Sequence, residues 1–299
     1  MRIKITPEGM VLYLTKKHTT VRLETPEEIK QVFPDFDSKA DIFPKDYPSP
    51  EIVHLEISDQ CNLKCPYCYV GEKSAQEIDT AAWKNIIDKL NRANVFQVTF
   101  GGGEPTMRDD LIELAQYAKS VGLNVAMTTN GINLPAYSPE ELDVFDQINV
   151  SYHHTAGKKV FDIALMWLEY CDIGRGINYC LSKEYASDLD YIVKTAEKYH
   201  AELLVLTYKP VIGDKANQIP PEEVLKTMKD VKSKGINIYV DGLTCQTCLG
   251  SKRFCDVSSV GDIYPCSFIR ESQGNLLKTP FDVIWKSRKK EVTCPYLKS

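Results

Sequence analysis

The sequence has 299 residues, of which 43% are hydrophobic and 26% charged, with a formal net charge of −5. This length suits one barrel-sized domain with a small appendage, and the composition is that of an ordinary globular protein. No apolar run approaches the ~20 residues of a membrane span, the first residues lack the apolar segment of a signal peptide, and the charge gives no general attraction to nucleic acid. We therefore expect a cytoplasmic protein without membrane or nucleic-acid partners.

Short strands are predicted within residues 1–24. A helix should begin near Thr25 and Pro26, because a capping residue, a proline and then acidic residues are typical of a helix start. Residues 34–50 contain four prolines and several Asp and Ser residues, which indicates a linker. Residues 1–50 are therefore assigned to an N-terminal β segment with its linker.

Strands and helices alternate from residue 51 onward. The predicted strands are 52–58, 95–101, 123–128, 146–152, 174–182, 202–209 and 236–241, and the predicted helices are 79–93, 109–121, 138–144, 158–171, 187–199 and 220–234. Repeated β-α units indicate a parallel sheet with helices outside, and six or more units can curl into a barrel. The predicted fold is α/β, a partial (β/α)6 TIM-like barrel over residues 51–242, with ligands at the carboxyl ends of its strands. Residues 243–299 lose the periodicity and form a cysteine-rich extension.

Ten cysteines in a chain without an export signal favour metal or cluster ligation over disulfides. Cys61, Cys65 and Cys68 directly follow the first barrel strand and can close on one metal centre, and soft thiolates suit iron–sulfur clusters or zinc. A structural zinc site would need a fourth close ligand, whereas the nearest histidine, His54, lies on the preceding strand. Three ligands leave one iron open to a small molecule. A zinc-binding loop or reduced surface thiols are the alternatives.

Three further motifs lie at the ends of the next three strands. Gly-Gly-Gly-Glu-Pro occupies residues 101–105, Thr-Thr-Asn-Gly occupies 128–131, and Asn-Val-Ser-Tyr occupies 149–152. Glycines allow a backbone to approach a ligand closely, and a carboxylate in such a turn can hold an ammonium group. Together with the cysteine spacing and the aromatic residue before the third cysteine, these motifs resemble the radical SAM superfamily.

The resemblance covers residues 51 to about 242 and implies an enzyme, a radical SAM oxidoreductase or transferase. In that family a [4Fe–4S] cluster on three cysteines, here Cys61, Cys65 and Cys68, binds S-adenosylmethionine, and one electron then yields a 5′-deoxyadenosyl radical that abstracts a hydrogen atom. Reduced ferredoxin or flavodoxin is the implied electron donor. The resemblance assigns S-adenosylmethionine binding to Tyr67, Gly102, Gly103, Glu104, Thr129, Asn130 and Ser151. For Ser151, an ordinary strand-end hydroxyl is the alternative.

The C-terminal cysteines carry a second resemblance. The spacing of Cys248, Gly261 and Cys266, continued by residues 274–276 and 281–285, is similar to the auxiliary-cluster extensions called SPASM and, in shorter form, Twitch. A full SPASM extension has seven cysteines, whereas this chain has five after residue 240, enough for one auxiliary [4Fe–4S] cluster. The predicted ligands are Cys248, Cys266 and Cys294, with either Cys255 or Cys245 as the fourth. A structural zinc ribbon is the alternative.

Proteins with such extensions often modify peptides or proteins by thioether formation, epimerisation, crosslinking or oxidation, and others act on small molecules in cofactor biosynthesis. Period-two alternation over residues 174–182 puts Cys180 on the inner face, where its thiol could give a hydrogen atom to a substrate radical. The alternative for Cys180 is a small buried cysteine. At most one of His153 and His154 should face the cavity. A non-catalytic iron–sulfur electron carrier is the rival function, although a carrier needs no turn for a methionine amine.

Overall fold

The computed structural model describes residues 2–14, 19–36, 43–70, 76–210, 215–232, 235, 237–242 and 248–296. The strands in these ranges form two sheets, one of three strands and one of ten. No helix in them is both long and apolar enough to cross a membrane.

The small sheet is antiparallel and lies at the N-terminus. Its strands are β1 (Arg2–Thr6), β2 (Gly9–Leu14) and β3 (Thr19–Leu23), in sequential order. Helix α1 (Pro26–Val32) follows, and it begins as predicted: Thr25 and Glu28 exchange side-chain-to-backbone hydrogen bonds in a capping box. Ile29 of α1 packs on apolar residues of β2 and β3, so this segment has a small core of its own.

The large sheet contains the predicted β-α units. Its parallel strands are β4 (Ile52–Ser58), β5 (Gln97–Gly102), β6 (Asn124–Thr129), β7 (Gln147–Tyr152), β8 (Gly174–Leu181), β9 (Glu202–Thr207) and β10 (Ile238–Val240). The helices that follow the first six of them are α2 (Thr80–Arg92), α3 (Leu111–Ser120), α4 (Pro139–Leu142), α5 (Lys158–Leu168), α6 (Leu189–Lys198) and α7 (Pro221–Lys232). The predicted α/β class with six β-α units is therefore confirmed, in an open sheet rather than a closed barrel.

The two faces of this sheet differ in polarity because side chains alternate along each strand. One face packs against the helices through fully buried apolar side chains, such as Val53 and Leu55 of β4 against Trp83 of α2. The other face carries amides and hydroxyls. Asn149 donates to Asn178 over 3.4 Å, and Asn178 is 3.5 Å from the Thr128 hydroxyl. A polar inner face suits a polar ligand.

The cysteine-rich extension continues the large sheet. Strand β11 (Phe254–Val257) pairs in parallel with β4, and β12 (Asp262–Tyr264) and β13 (Gly274–Asn275) add antiparallel strands beyond it. Helix α8 (Phe281–Ser287) covers the adjoining core, where the Trp285 indole donates to the Tyr47 carbonyl over 2.8 Å. The first barrel strand thus lies between β5 and the extension.

Candidate active site

The first three cysteines lie in the loop that follows β4, and all three are partly exposed. The Cys68 N–H donates to the Cys65 carbonyl over 3.2 Å, and the Cys61 sulfur accepts from the Leu63 N–H at 3.4 Å. Burial raises the pKa of the Cys65 thiol to about 11, and the nearby thiols of Cys68 and Cys61 add to the rise. The three cysteines therefore lie on one short loop at the carboxyl end of β4, and their role as ligands of one metal centre stays a prediction.

The Gly-Gly-Gly-Glu turn at the end of β5 is fixed to the residues that lead into this loop. The Gly103 N–H donates to the Ser58 carbonyl over 2.6 Å, and the Glu104 N–H donates to the Gln60 carbonyl over 2.7 Å. A β-carbon on Gly102 would lie 2.4 Å from the Ser58 oxygen, and one on Gly103 would lie 2.3 Å from the Gln60 oxygen. These glycines make room for the protein's own backbone, whereas the sequence had suggested a ligand.

Glu104 is only 1% exposed and is surrounded by donors of the protein. One carboxylate oxygen accepts from the Thr106 N–H (3.1 Å), the Thr106 hydroxyl (2.6 Å) and the Thr129 hydroxyl (2.7 Å), and the other accepts from the Asn130 N–H (2.7 Å). Burial raises the pKa of Glu104, although the hydrogen bonds from these donors act to lower it. The carboxylate thus organises the turn, and its assignment to a methionine amine remains a prediction.

Asn130 extends this arrangement to the cysteine loop, because its side-chain amide donates to the side-chain Oδ1 of Asn62 over 2.6 Å. The cysteine loop, the glycine turn and the Thr-Thr-Asn-Gly turn are therefore one hydrogen-bonded unit. Ser151 lies on β7 beside Asn178 of β8 and is partly exposed. The structure brings the predicted S-adenosylmethionine residues to the same end of the sheet as the three thiols.

Cys180 lies near the end of β8, at the inner face that the alternation predicted. Burial raises the pKa of its thiol to about 12. Among the neighbouring groups, Lys209 lowers this pKa, whereas Asp241 and Cys65 raise it. Lys209 forms an ion pair with Asp241, and its ammonium lies 4.5 Å from the ring centre of Phe268 in the extension. The Cys180 thiol is therefore protonated near neutral pH and faces the cysteine loop.

His153, just after β7, contacts the cysteine loop directly. Its Nδ1 lies 3.3 Å from the Cys65 sulfur and 3.2 Å from the Tyr67 hydroxyl, and its ring stacks on Tyr67 at 6.1 Å. Burial lowers the pKa of His153 to about 4. His154 instead stacks on Tyr185 and keeps a 58% exposed side chain. Only one of the two histidines faces the cysteine loop, as expected, but no pattern in the sequence indicated its contact with Cys65.

The extension gathers a second set of three partly exposed cysteines. Burial raises the pKa of the Cys266 thiol to about 11, and the neighbouring thiols of Cys248 and Cys294 add to the rise. The structure does not bring Cys255 to them. Cys255 is fully buried in the apolar core, where it pairs with Val53, because the strand that places Asp256 inward turns Cys255 to the opposite face. Cys245 lies outside the described residues.

A buried polar cluster, which sequence reasoning missed, joins β4 to the extension between the two cysteine sets. Arg270 donates to both Glu56 oxygens, over 3.0 and 2.6 Å, and His54 Nδ1 lies 3.4 Å from an Asp256 oxygen. Burial raises the pKa of Glu56 to about 7, and Asp256 adds to the rise. His54, Glu56 and Asp256 offer ligand atoms within 4.8 Å of one another, but Arg270 already occupies Glu56. The residues of this polar cluster are spread over more than 200 positions of the sequence, so no local sequence pattern predicts the cluster.

Comparisons with known proteins point to one enzyme superfamily. Residues 55–156 match the model of the Radical SAM superfamily. Similar curated proteins include an AdoMet-dependent heme synthase from Methanosarcina barkeri, 28% identical over 80% of this chain and 83% of that protein. The mycofactocin maturase MftC from Mycolicibacterium smegmatis is 26% identical over 82% and 72%, and the PqqA peptide cyclase from Bradyrhizobium diazoefficiens is 26% identical over 73% and 66%.

Two solved structures show the same fold. Streptococcus suis SuiB bound to its precursor peptide SuiA aligns with a TM-score of 0.73 and 13% identity, over 95% of this chain and 86% of that one. Native anSMEcpe with bound AdoMet and the Cp18Cys peptide aligns with a TM-score of 0.62 and 15% identity, over 81% of this chain and 82% of that one. At these identities the likeness concerns the fold alone.

Proposed function

Because residues 55–156 match the model of the radical SAM superfamily, we propose that this chain is a radical SAM enzyme and that it modifies a peptide or protein by radical chemistry. The observation that carries the proposal is the hydrogen-bonded unit that ties the three-cysteine loop to the glycine turn and to the Thr-Thr-Asn-Gly turn. The peptide-directed names of two relatives, MftC and the PqqA cyclase, support the choice of substrate. The reaction would be thioether formation, epimerisation, crosslinking or oxidation.

The residues present fit the cofactors that family membership implies. Three partly exposed thiols on one short loop match a [4Fe–4S] cluster with one open iron, so Cys61, Cys65 and Cys68 would hold it. Tyr67, Gly102, Gly103, Glu104, Thr129, Asn130 and Ser151 would bind S-adenosylmethionine. When bound, the two groups supply a 5′-deoxyadenosyl radical that abstracts a hydrogen atom from the substrate. The buried Glu104 network would fix the turn that receives the methionine, and Tyr67 would shield one side.

We also propose an auxiliary [4Fe–4S] cluster on Cys248, Cys266 and Cys294. Cys245 would supply the fourth ligand, since Cys255 points into the core on β11. All three cysteines are partly exposed, and the thiols of Cys248 and Cys294 act on the pKa of Cys266, which supports this assignment. The extension would then have a function of its own, holding the auxiliary cluster, although its strands belong to the same large sheet as the β-α units.

Cys180 would donate a hydrogen atom to a substrate radical if the reaction is an epimerisation. Its burial keeps the thiol protonated, which donation requires. The transfer forms a C–H bond and leaves a thiyl radical, which one electron from reduced ferredoxin or flavodoxin and one proton return to the thiol. A Cys180→Ala variant should lose epimerised product and still release 5′-deoxyadenosine. Unchanged product formation would refute the role of Cys180.

Cofactor biosynthesis on a small molecule is the second candidate, since the heme synthase is a relative at 28% identity. An electron carrier is the rival of another class. The deciding experiment is anaerobic reconstitution with iron and sulfide counting, followed by a deoxyadenosine assay. We expect about eight irons per chain and deoxyadenosine release; about four irons would remove the auxiliary cluster, and a loaded protein that never cleaves S-adenosylmethionine would favour the carrier.

Two variants assign the iron to its ligands. Replacing Cys61, Cys65 and Cys68 with alanine should remove about four irons and all deoxyadenosine release. Cys171→Ala is the matched control, because Cys171 is buried behind the sheet beside the Trp167 carbonyl and belongs to neither set. It should retain full iron content. Zinc in place of the remaining iron would contradict the auxiliary cluster.

A further inference from the structure

We propose that His153 donates its Nδ1–H to the Cys65 thiolate and thereby raises the reduction potential of the cluster on Cys61, Cys65 and Cys68. The inference rests on the proposed function and assigns His153 as a positioning residue that acts through a cluster ligand.

The contact is between groups that different strands bring together. His153 follows β7 and Cys65 follows β4, 88 positions apart, yet Nδ1 lies 3.3 Å from Sγ. The stacking of the imidazole on Tyr67, with an interplanar angle of 19°, holds the ring in that orientation. The histidine therefore reaches the sulfur without a change in the backbone.

The direction of the hydrogen bond follows from the chemistry of a ligated cysteine. A thiolate bound to iron has no proton, so in this pair only the imidazole nitrogen can donate. The Tyr67 hydroxyl, 3.2 Å from the same Nδ1, is the competing partner: it can accept from Nδ1–H, or it can donate to the unprotonated Nδ1 of the other tautomer. A thiolate carries negative charge and a phenol does not, and charged acceptors form the stronger hydrogen bonds. Nδ1–H should therefore bond to Cys65.

A donor to a cluster sulfur favours the reduced state, which carries one more negative charge. Hydrogen bonds to the sulfurs are among the properties that set cluster potentials. His153 would thus make it easier for a biological donor to reduce this cluster, and the neighbouring His154 would have no such effect because its ring turns to Tyr185.

The test is an EPR-monitored redox titration of the reconstituted wild type, a His153→Phe variant and a matched His154→Phe control. Phenylalanine keeps a ring to stack on Tyr67 but has no N–H. The titrated signal is the one that disappears when Cys61, Cys65 and Cys68 are replaced. We expect His153→Phe to lower the midpoint potential by up to about 59 mV, a tenfold change in the ratio of oxidised to reduced cluster. His154→Phe should match the wild type.

A loaded His153→Phe variant with an unchanged or higher potential would overturn the inference alone. A wild-type protein that assembles no cluster would overturn both this inference and the proposed function. Should His153→Phe fail to take up iron, pulsed EPR of the wild type labelled with ¹⁵N-histidine decides: a ¹⁵N coupling to the reduced cluster is expected. The absence of any histidine coupling would overturn the hydrogen bond.

Discussion

Gly102 and Gly103 show how single residues connect the motifs of this site. Gly102 has a φ of +107°, and the Ser58 carbonyl occupies the space of its missing side chain. The sequence indicated a close approach at these glycines but not its partner, because the partner lies more than forty positions earlier. The same limit applies to Cys255, whose spacing fitted a ligand while the inward direction of Asp256 turned it into the core.

Replacing Gly102 with alanine should therefore damage both the fold and the chemistry. Backbone strain at positive φ costs about 1–3 kcal/mol, and the clash with Ser58 adds to it. Gly122→Ala is the matched control, since Gly122 has a φ of +93° but nothing within 4 Å of its added β-carbon. In urea unfolding Gly102→Ala should lose more stability than Gly122→Ala, and it should lose deoxyadenosine release. Equal losses in both variants would contradict the contact.

The strands and helices of the barrel were predictable from the sequence because their apolar patterns are long. Each predicted barrel element is present, with ends that differ by at most a few residues; β9, for example, ends at Thr207 instead of 209. Strands β11 to β13 were not predicted. They contain four, three and two residues, too few for an alternation to be visible. Their place in the sheet depends on pairing with β4, which is a long-range contact.

The N-terminal sheet docks on the barrel through a buried lysine. Lys4 of β1 is 2% exposed, donates to the Pro50 carbonyl and lies 4.7 Å from the ring centre of Phe96. Burial lowers the pKa of Lys4 to about 7. The unfolded chain keeps the proton up to the ordinary value of 10.5, so it binds more protons than the folded chain between these pH values. The free energy of unfolding should consequently rise with pH in this window.

A Lys4→Met variant tests this effect. The wild type should gain up to a few kcal/mol of stability between about pH 7 and 9.5, and the variant should lack that part of the gain. The measurement is urea unfolding of the metal-free chains followed by tryptophan fluorescence. Because other groups titrate in the same range, the comparison is between the wild type and the variant in the slope of the free energy of unfolding against pH. Identical slopes would show that Lys4 is already charged in the fold.

At the scale of the whole molecule, the pair Arg270 and Glu56 fastens the extension to the barrel. The Glu56 side chain is 2% exposed and that of Arg270 is 31% exposed. Arg270→Met leaves Glu56 buried beside Asp256 without its counter-charge, which should cost about 1–3 kcal/mol after allowance for solvent at Arg270. Limited proteolysis should then cut the extension faster than the barrel.

The control for this change is Lys289→Met. Lys289 pairs with Glu271 over 3.2 Å, but both side chains are more than half exposed, and such pairs contribute ~0–1 kcal/mol. Its proteolysis pattern should match that of the wild type. Equal protection of the extension in Arg270→Met would mean that the β4–β11 pairing alone holds it.

The pairing of β4 with β11 also has a consequence for how the protein is made. His54 and its register partner Asp256 are 202 positions apart, so a ribosome delivers the first barrel strand long before the strand that covers its edge. Until then β4 presents unpaired N–H and C=O groups and apolar side chains, which favour pairing with other chains. The nascent protein thus passes through an aggregation-prone stage that ends only when β11 emerges. We expect chaperones to bind the incomplete chain during that stage.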